Sequence, residues 1–539
     1  MRRLLRPAPP GDNGCCRRGR CKFFAAPRPD SDDDNAAGFS RWIATSGRDR
    51  GWHAKAAALG WRQARLKRRS FASQPRSRPE VAIHLDANIA MKTIEPTSRR
   101  EFLAGSGRFV AGAALVGVAL PRVHAAGDNT IRLALIGCGG RGSGAVADAM
   151  QSRFGPVKLV AMADFFEKRL TASHGVLNKQ FGERVDVPAD RQFVGFDAYK
   201  KAIDCLRPGD VAMLAGYAAW RPVQLEYAVA KGVNVFMEKS FACDPPGVRR
   251  ILKAGEAAER KNLKIASGLM ARHSPNRQEL IKRIRDGQLG DIQIIRTYRM
   301  QPCGTLRPRK PEEKELDWQI SRFTHFLWVS GGLFAEMNIH QVDEICWIKD
   351  AWPVSAHGIG GRTANNSDCG QNLDSLSIEW TFADGTKAYH VTRWLPKCHG
   401  DFGTYMHGTK CAGLFPWMPG HRDETLIYKD QRTTRDNIAW QAGKEEGTHW
   451  QAEWNVLLDA IRNNKPHNEA KRAALTNLAD IMGRAAVHMG RVITWDEAMT
   501  SNFQFCPNLD SLTEDSPPPV KADAQGRYPV PVPGQWTEI

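Results

Sequence analysis

One unbroken run constrains this chain most. Thr130–Ile136 has the pattern of a short apolar strand, and it leads directly into Gly137-Cys138-Gly139-Gly140-Arg141-Gly142. Ser143–Met150 continues as a helix. A glycine-rich turn between a strand and a helix is the context in which G-x-G-x-x-G binds a dinucleotide. Gly137 permits the tight turn, Gly139 lets the backbone approach a pyrophosphate, and Gly142 lets helix and strand pack closely. Gly140 and Arg141 lie inside the same turn, where free N–H groups at the helix start attract phosphate. Val157–Ala163 reads as a second strand, ending at Asp164. A carboxylate there binds the adenosine ribose hydroxyls and repels a 2′-phosphate, which favours NAD. The nearby Lys168 and Arg169 keep NADP open.

The alternation continues downstream. Strand patterns at Val211–Ala215, Val233–Met237 and Leu263–Ser267 are separated by helical patterns at Arg221–Lys231 and Pro245–Lys261. This predicts a doubly wound parallel sheet of α/β class, a Rossmann domain over 126–270. The texture then changes. Helices are expected at Asn276–Arg285, Gly331–Ile348, Thr448–Arg462 and Ala473–Met489. Strands are expected at Ile292–Arg299, Val354–Gly360, Asp374–Phe382 and Lys387–Arg393, with Ala383-Asp384-Gly385 as a hairpin turn. Residues 271–512 therefore read as an α+β domain with a largely antiparallel open sheet. Residues 513–539 hold many prolines and read as an extended arm outside the core.

Charge excludes one class of partner. The 539 residues carry a net charge of +18, which alone suggests nucleic acid. Residues 1–125, however, hold 24 of the 76 Lys and Arg but only 10 of the 58 Asp and Glu. The rest of the chain is nearly neutral, and phosphate backbones need clustered cations. No nucleic-acid partner is expected. Cysteines are scattered without a C-x-x-C pair, and the histidines show no ligand spacing, so no metal site is expected.

The basic leader has its own pattern. Ser98-Arg99-Arg100-Glu101-Phe102-Leu103 precedes the apolar run Phe109–Leu120, and Val123-His124-Ala125 follows as a small-x-small cleavage site. Residues 91–125 read as a twin-arginine secretory signal, with the translocase as a partner during export and a periplasmic or extracytoplasmic destination. Met91 is the expected start. Residues 1–90 are then a mis-assigned upstream reading or a disordered basic extension.

Val233–Met237 ends in Glu238-Lys239, placed at the C-terminal sheet edge where open α/β sheets bind ligands. A lysine there can trade a proton with a substrate hydroxyl while hydride leaves the adjacent carbon. Together these landmarks resemble the glucose–fructose oxidoreductase/inositol dehydrogenase (Gfo/Idh/MocA) family. Five carry the resemblance in the correct order: Gly137–Gly142, Glu238-Lys239 where the family has Glu-Lys-Pro, Arg272, Gly287–Ile292, and Gly331–Asp343. The resemblance covers roughly 129–500. It implies a Rossmann domain followed by an α/β domain whose open sheet often mediates oligomerisation. It also implies that Lys239 is catalytic together with Glu336 and His340, four apart on one helix face. Glu238 is expected at the cofactor. Arg272, Asp343, Trp220 and Arg221 are expected to bind substrate, with His273, Tyr298 and Trp318 as further pocket candidates. Ser240 departs from the family's proline. A cis bond there would cost about 3 kcal/mol more, so the loop is either trans or held by local contacts.

The implied activity is hydride transfer between a tightly bound NAD, or NADP, and a sugar, polyol or glycoside hydroxyl, by a homo-oligomer. Two other readings stay open. One is glycoside hydrolysis by transient oxidation with no net redox, and the other is a non-catalytic carbohydrate-binding relative.

Overall fold

The computed structural model describes residues 129–417 and 424–539. The signal and basic leader expected within 1–125 lie outside the described residues.

Strands β1 (Ile131–Ile136), β2 (Val157–Asp164), β3 (Gln192–Val194), β4 (Val211–Leu214), β5 (Asn234–Met237) and β6 (Ile265–Ser267) form a six-stranded sheet in the order β3-β2-β1-β4-β5-β6. Every pairing is parallel. Between them run helices α1 (Gly140–Met150), α2 (Glu167–Phe181), α3 (Ala198–Asp204), α4 (Arg221–Lys231) and α5 (Pro245–Arg260). The strand order reverses direction between β1 and β4, which opens a crevice beyond the C-terminal strand ends. Alternation in β1 explains the double winding. Ile131, Leu133 and Leu135 enter the core on one face, and Ala134 and Ile136 enter the core on the other. Both faces are buried, so these strands read as nearly continuous apolar runs.

Helix α6 (Pro275–Arg285) leads into β7 (Ile292–Met300). Helices α7 (Glu315–Ser321), α8 (Leu327–Ser330) and α9 (Gly332–Lys349) follow. Strands β8 (Ser355–Gly361), β9 (Ser375–Thr381), β10 (Lys387–Arg393), β11 (Asp401–Gly408), β12 (Ala412–Pro416), β13 (Leu426–Tyr428) and β14 (Ile438–Gln441) come next. Helices α10 (His449–Arg462) and α11 (Ala470–Met489), strand β15 (Ile493–Thr494) and helix α12 (Trp495–Thr500) complete the order. The second sheet has nine strands, β14-β13-β12-β11-β7-β10-β9-β8-β15. All its pairings are antiparallel except β7 with β10, so the expected α/β fold with a largely antiparallel second sheet is found. In β9 and β10 every second residue is buried, and the other face is half-exposed.

Two features depart from simple segment boundaries. Helix α10, in the second half of the chain, buries Trp454, Leu457 and Leu458 in the core of the parallel sheet. Trp454 stacks on Phe236 of β5 with ring centroids 4.4 Å apart. The C-terminal segment is extended, as its prolines require, yet it is not outside the core. Tyr528 packs edge-on to Phe326, and Glu538 is fully buried against Arg484.

Candidate active site

The glycine turn divides into tight and open positions. Gly137 has φ +97°, and a Cβ there would strike the backbone of Ala215 and Gly216. A Cβ on Gly142 would collide with the Gly137 carbonyl oxygen. By contrast, nothing among the described residues lies within 4 Å of a Cβ position on Gly139 or Gly140. Helix α1 starts after Gly139 with no side-chain cap, so its first N–H groups face that open space. This is the shape a pyrophosphate requires, and the residues present fit a dinucleotide.

Asp164 ends β2 and ties the turn down. The Cys138 N–H donates to its Oδ2 at 2.6 Å, and the Phe166 N–H donates to its Oδ1 at 2.9 Å. Burial raises the Asp164 carboxyl, and these hydrogen bonds oppose the shift. Arg169, one of the cations that could receive a 2′-phosphate, is instead bonded to the Tyr217 hydroxyl and the Ser321 carbonyl. Lys168 is exposed. Arg141 bridges Asp148 at 2.6 Å and Glu238 at 3.1 Å, linking the glycine turn to the end of β5.

Beyond β5 the chain places Lys239 against helix α9. Its Nζ donates to the Glu336 carbonyl oxygen at 2.5 Å and to Glu336 Oε2 at 2.9 Å. The Lys239–Ser240 peptide is cis, with Ser240 Oγ donating to the Ala335 carbonyl at 2.8 Å. Ser240 is completely buried, so local contacts rather than proline accompany this geometry. His340 lies one turn beyond Glu336. Burial, with Lys239, Arg299 and Arg277 nearby, holds its imidazole well below the usual histidine range. Its Nδ1 has no hydrogen-bond partner among the described residues. Trp417 packs 5.6 Å from the His340 ring and stacks on Phe402 at 5.3 Å.

The structure thus brings Lys239, Glu336 and His340 together, and connects Lys239 through Glu238 to the glycine turn. It gives other expected residues different work. Arg221 is fully buried and donates to the Leu214 and Gly216 carbonyls, bracing the end of β4 where a substrate contact was expected. Trp220 is packed among Phe165, Phe196, Tyr217 and Trp328. Arg272 and Asp343, both expected at substrate, grip each other in two hydrogen bonds of 2.7 and 2.9 Å. Thr476 donates to the same Asp343 carboxylate, leaving it little capacity for a ligand. His273 faces Glu469 at 3.6 Å, and Trp318 stacks with Tyr528. On β7 the buried residues are Ile295, Thr297 and Arg299, which puts Tyr298 on the opposite, half-exposed face.

Sequence reasoning missed two buried carboxyls behind the site. Asp480 on α11 is fully buried, and neither of its oxygens has a hydrogen-bond partner among the described residues. Burial pushes it up to about 7, with Arg484 opposing and Glu336 reinforcing. Glu453 on α10 is equally buried and has no hydrogen-bond partner among the described residues, and burial beside Glu238 raises it well above the carboxylate range. Each sits within an ordinary helical stretch, so only tertiary packing reveals it. Among the described residues, no group of three His, Cys, Asp or Glu could hold a metal ion.

No family model matches the chain. It is 26% identical over 285 residues to an inositol 2-dehydrogenase of Rhizobium meliloti (strain 1021), covering 52% of this chain and 74% of the relative. A rhizopine catabolism protein, MocA, of Rhizobium meliloti is 21% identical over 257 residues, covering 47% of this chain and 68% of that protein. Among solved structures, the aldose-aldose oxidoreductase from Caulobacter crescentus complexed with glycerol has a TM-score of 0.52 at 16% identity. The scyllo-inositol dehydrogenase from Lactobacillus casei with bound NAD(H) and scyllo-inositol has a TM-score of 0.50 at 19% identity. Both cover 68% of this chain and 99% of their own. The chain is thus similar in sequence to an inositol 2-dehydrogenase and to MocA, and similar in fold to an aldose-aldose oxidoreductase and a scyllo-inositol dehydrogenase.

Proposed function

We propose that the chain is a nicotinamide-dependent oxidoreductase acting on a CH–OH group of a sugar or polyol. The observation that carries this reading is the double hydrogen bond from Lys239 to Glu336, at the sheet edge next to the glycine turn. When bound, the nicotinamide nucleotide supplies or takes up the hydride. Gly139 and the N-terminus of α1 would hold its pyrophosphate, Asp164 its adenosine ribose, and Glu238 its nicotinamide end. The Asp164 carboxylate and the engagement of Arg169 favour NAD over NADP.

Lys239 exchanges the proton of the reacting hydroxyl. Glu336 orients its amino group through both a carboxylate and a backbone oxygen, which fixes where the neutral amine takes the proton and where the ammonium returns it. His340, kept neutral by burial and neighbouring cations, binds the same or an adjacent hydroxyl. The stacked Trp417 and Phe402 give an aromatic wall of the kind that packs against sugar rings and excludes water. The signal pattern over 91–125 supports export of the folded protein with its cofactor already inside. A tightly held NAD recycled between two substrates would then suit a compartment poor in free nucleotide. The half-exposed face of the nine-stranded sheet, with Ile294 and Ile359 outermost, is the surface proposed for self-association.

The test is absorbance at 340 nm when the NAD-loaded protein meets a panel of polyols and aldoses. Reduction by at least one of them, lost in Lys239→Ala that still binds NAD, supports the reading. Equal reduction by wild type and Lys239→Ala overturns the assignment of Lys239.

A further inference from the structure

Five buried or largely buried arginines surround the site, and four of them have a carboxylate paired with the guanidinium or near it. Arg272 is held by Asp343, Arg277 by Glu344, and Arg484 by Glu538. Arg221 has two backbone carbonyls at its guanidinium and Glu238 and Glu336 nearby. Arg299 is different. It is 5% exposed, yet no carboxylate pairs with it among the described residues. Its Nη1 donates to the Met337 carbonyl, and among the described residues its Nη2 reaches only the Met337 sulfur at 3.8 Å and its Nε has no partner. Histidine neighbours do not compensate, since the charge of Arg299 helps hold both His340 and His390 in the neutral form. Burial without an acid pushes the guanidinium down to about 9. A guanidinium has five N–H donors in a planar fork, and leaving it buried without an anion is costly.

Arg299 is on the face of β7 that carries Ile295 and Thr297 into the interior. Met337 lies between Glu336 and His340, and it is the one residue of that stretch of α9 left partly open. The guanidinium sits 4.6 Å over the Phe402 ring, Phe402 stacks on Trp417, and Trp417 packs on His340. A continuous wall therefore runs from the catalytic histidine to an unpaired cation. The Lys239–Glu336 and Arg277–Glu344 pairs are neutral, so Arg299 gives this part of the site an excess positive charge.

We propose that the substrate carries a carboxylate, as a sugar acid such as a uronate does, and that Arg299 binds it while Lys239 and His340 address the hydroxyl. This inference rests on the reading of the site as a polyol- or sugar-binding pocket. A planar fork meeting a carboxylate can form two parallel hydrogen bonds, which adds orientation as well as affinity.

The experiment is calorimetry on the full-length, NAD-loaded protein with D-glucuronate, D-galacturonate and D-mannuronate, each against its neutral aldose. At least one uronate is expected to bind ten-fold or more tighter than its aldose. In Arg299→Gln the ratio of uronate to aldose affinity is expected to fall to about one. Arg299→Lys keeps the charge without the fork and is expected to fall between the two, which preserves the test if the Gln variant does not fold. Equal binding of acid and neutral sugar, binding of neither, or an unchanged preference in Arg299→Gln overturns the proposal. NADH formation followed in parallel separates the two readings. Uronate preference without NADH would keep Arg299 as a carboxylate site and remove the dehydrogenase activity. NADH from neutral polyols without uronate preference would do the reverse.

Discussion

Lys239 and Glu336, 97 positions apart in sequence, meet through two hydrogen bonds, one to the carboxylate and one to the backbone carbonyl of the same residue. The carbonyl contact makes the position of Lys239 depend on helix α9 itself and not only on the Glu336 side chain. Glu336→Gln should therefore keep the lysine in place but weaken its orientation, and kcat should fall about 10- to 100-fold. Lys239→Ala removes the proton-transfer group and should cost about 10²- to 10⁴-fold. Both variants should retain NAD. Steady-state rates beside nucleotide content check this, and loss of nucleotide in either variant would point to a structural role.

The glycine turn predicts opposite outcomes for two similar substitutions. Gly142→Ala forces a Cβ onto the Gly137 carbonyl and should disrupt the turn, lowering both stability and NAD binding. Gly139→Ala meets open space at an ordinary φ of −75°, so the melting temperature should hardly move. NAD affinity should nonetheless fall, since that space is where the pyrophosphate would lie. Thermal melts with and without NAD distinguish the two, and a Gly139→Ala variant with undiminished NAD affinity would place the phosphates elsewhere.

The C-terminal segment reaches the segments next to Lys239 and Glu336 through Arg484. Glu538 accepts from Arg484 at 2.9 Å and lies 2.9 Å from the His488 ring nitrogen Nδ1, both of them buried. Arg484 in turn donates to the Cys243 carbonyl, just past Lys239, and to the Gly331 carbonyl, just before α9. Glu538→Ala strands a buried guanidinium and should destabilise by about 3–5 kcal/mol. Denaturant unfolding measures this, and a loss under about 1 kcal/mol would show that the strap is dispensable.

Asp480 gives a pH dependence with a definite sign. Its carboxyl ordinarily titrates near 3.8, and burial raises it to about 7 in the folded protein. The folded state thus binds this proton more tightly than the unfolded state. Stability from this group is complete below the unfolded value and is lost as pH rises toward 7. Asp480→Asn mimics the protonated form, so it should match wild type near pH 4 and exceed it by about 4 kcal/mol near pH 8. Urea unfolding of both proteins at several pH values checks this. A difference that does not vary with pH would contradict it.

What the sequence disclosed was local. Gly137–Gly142, Asp164 and Glu238-Lys239 each lie at or just past the end of a strand, so spacing and composition single them out. Strands β11 to β14 went unrecognised, because polar positions such as Asp401, Thr404 and His407 interrupt the alternation in β11, and β13 and β14 are only three and four residues long. Arg272 and Asp343 look like pocket residues until folding pairs them. Conversely, Arg299 and Asp480 look like ordinary strand and helix residues until packing buries the first without an acid and the second without a hydrogen bond among the described residues. Pairing and burial between distant segments are properties of the tertiary structure, and no spacing encodes them.

The most direct test of the account is to denature the purified full-length protein and quantify the released nicotinamide nucleotide by mass spectrometry. Near-stoichiometric NAD, with little NADP, is expected. Protein that releases no nucleotide, and that takes up none when NAD is added, would contradict it.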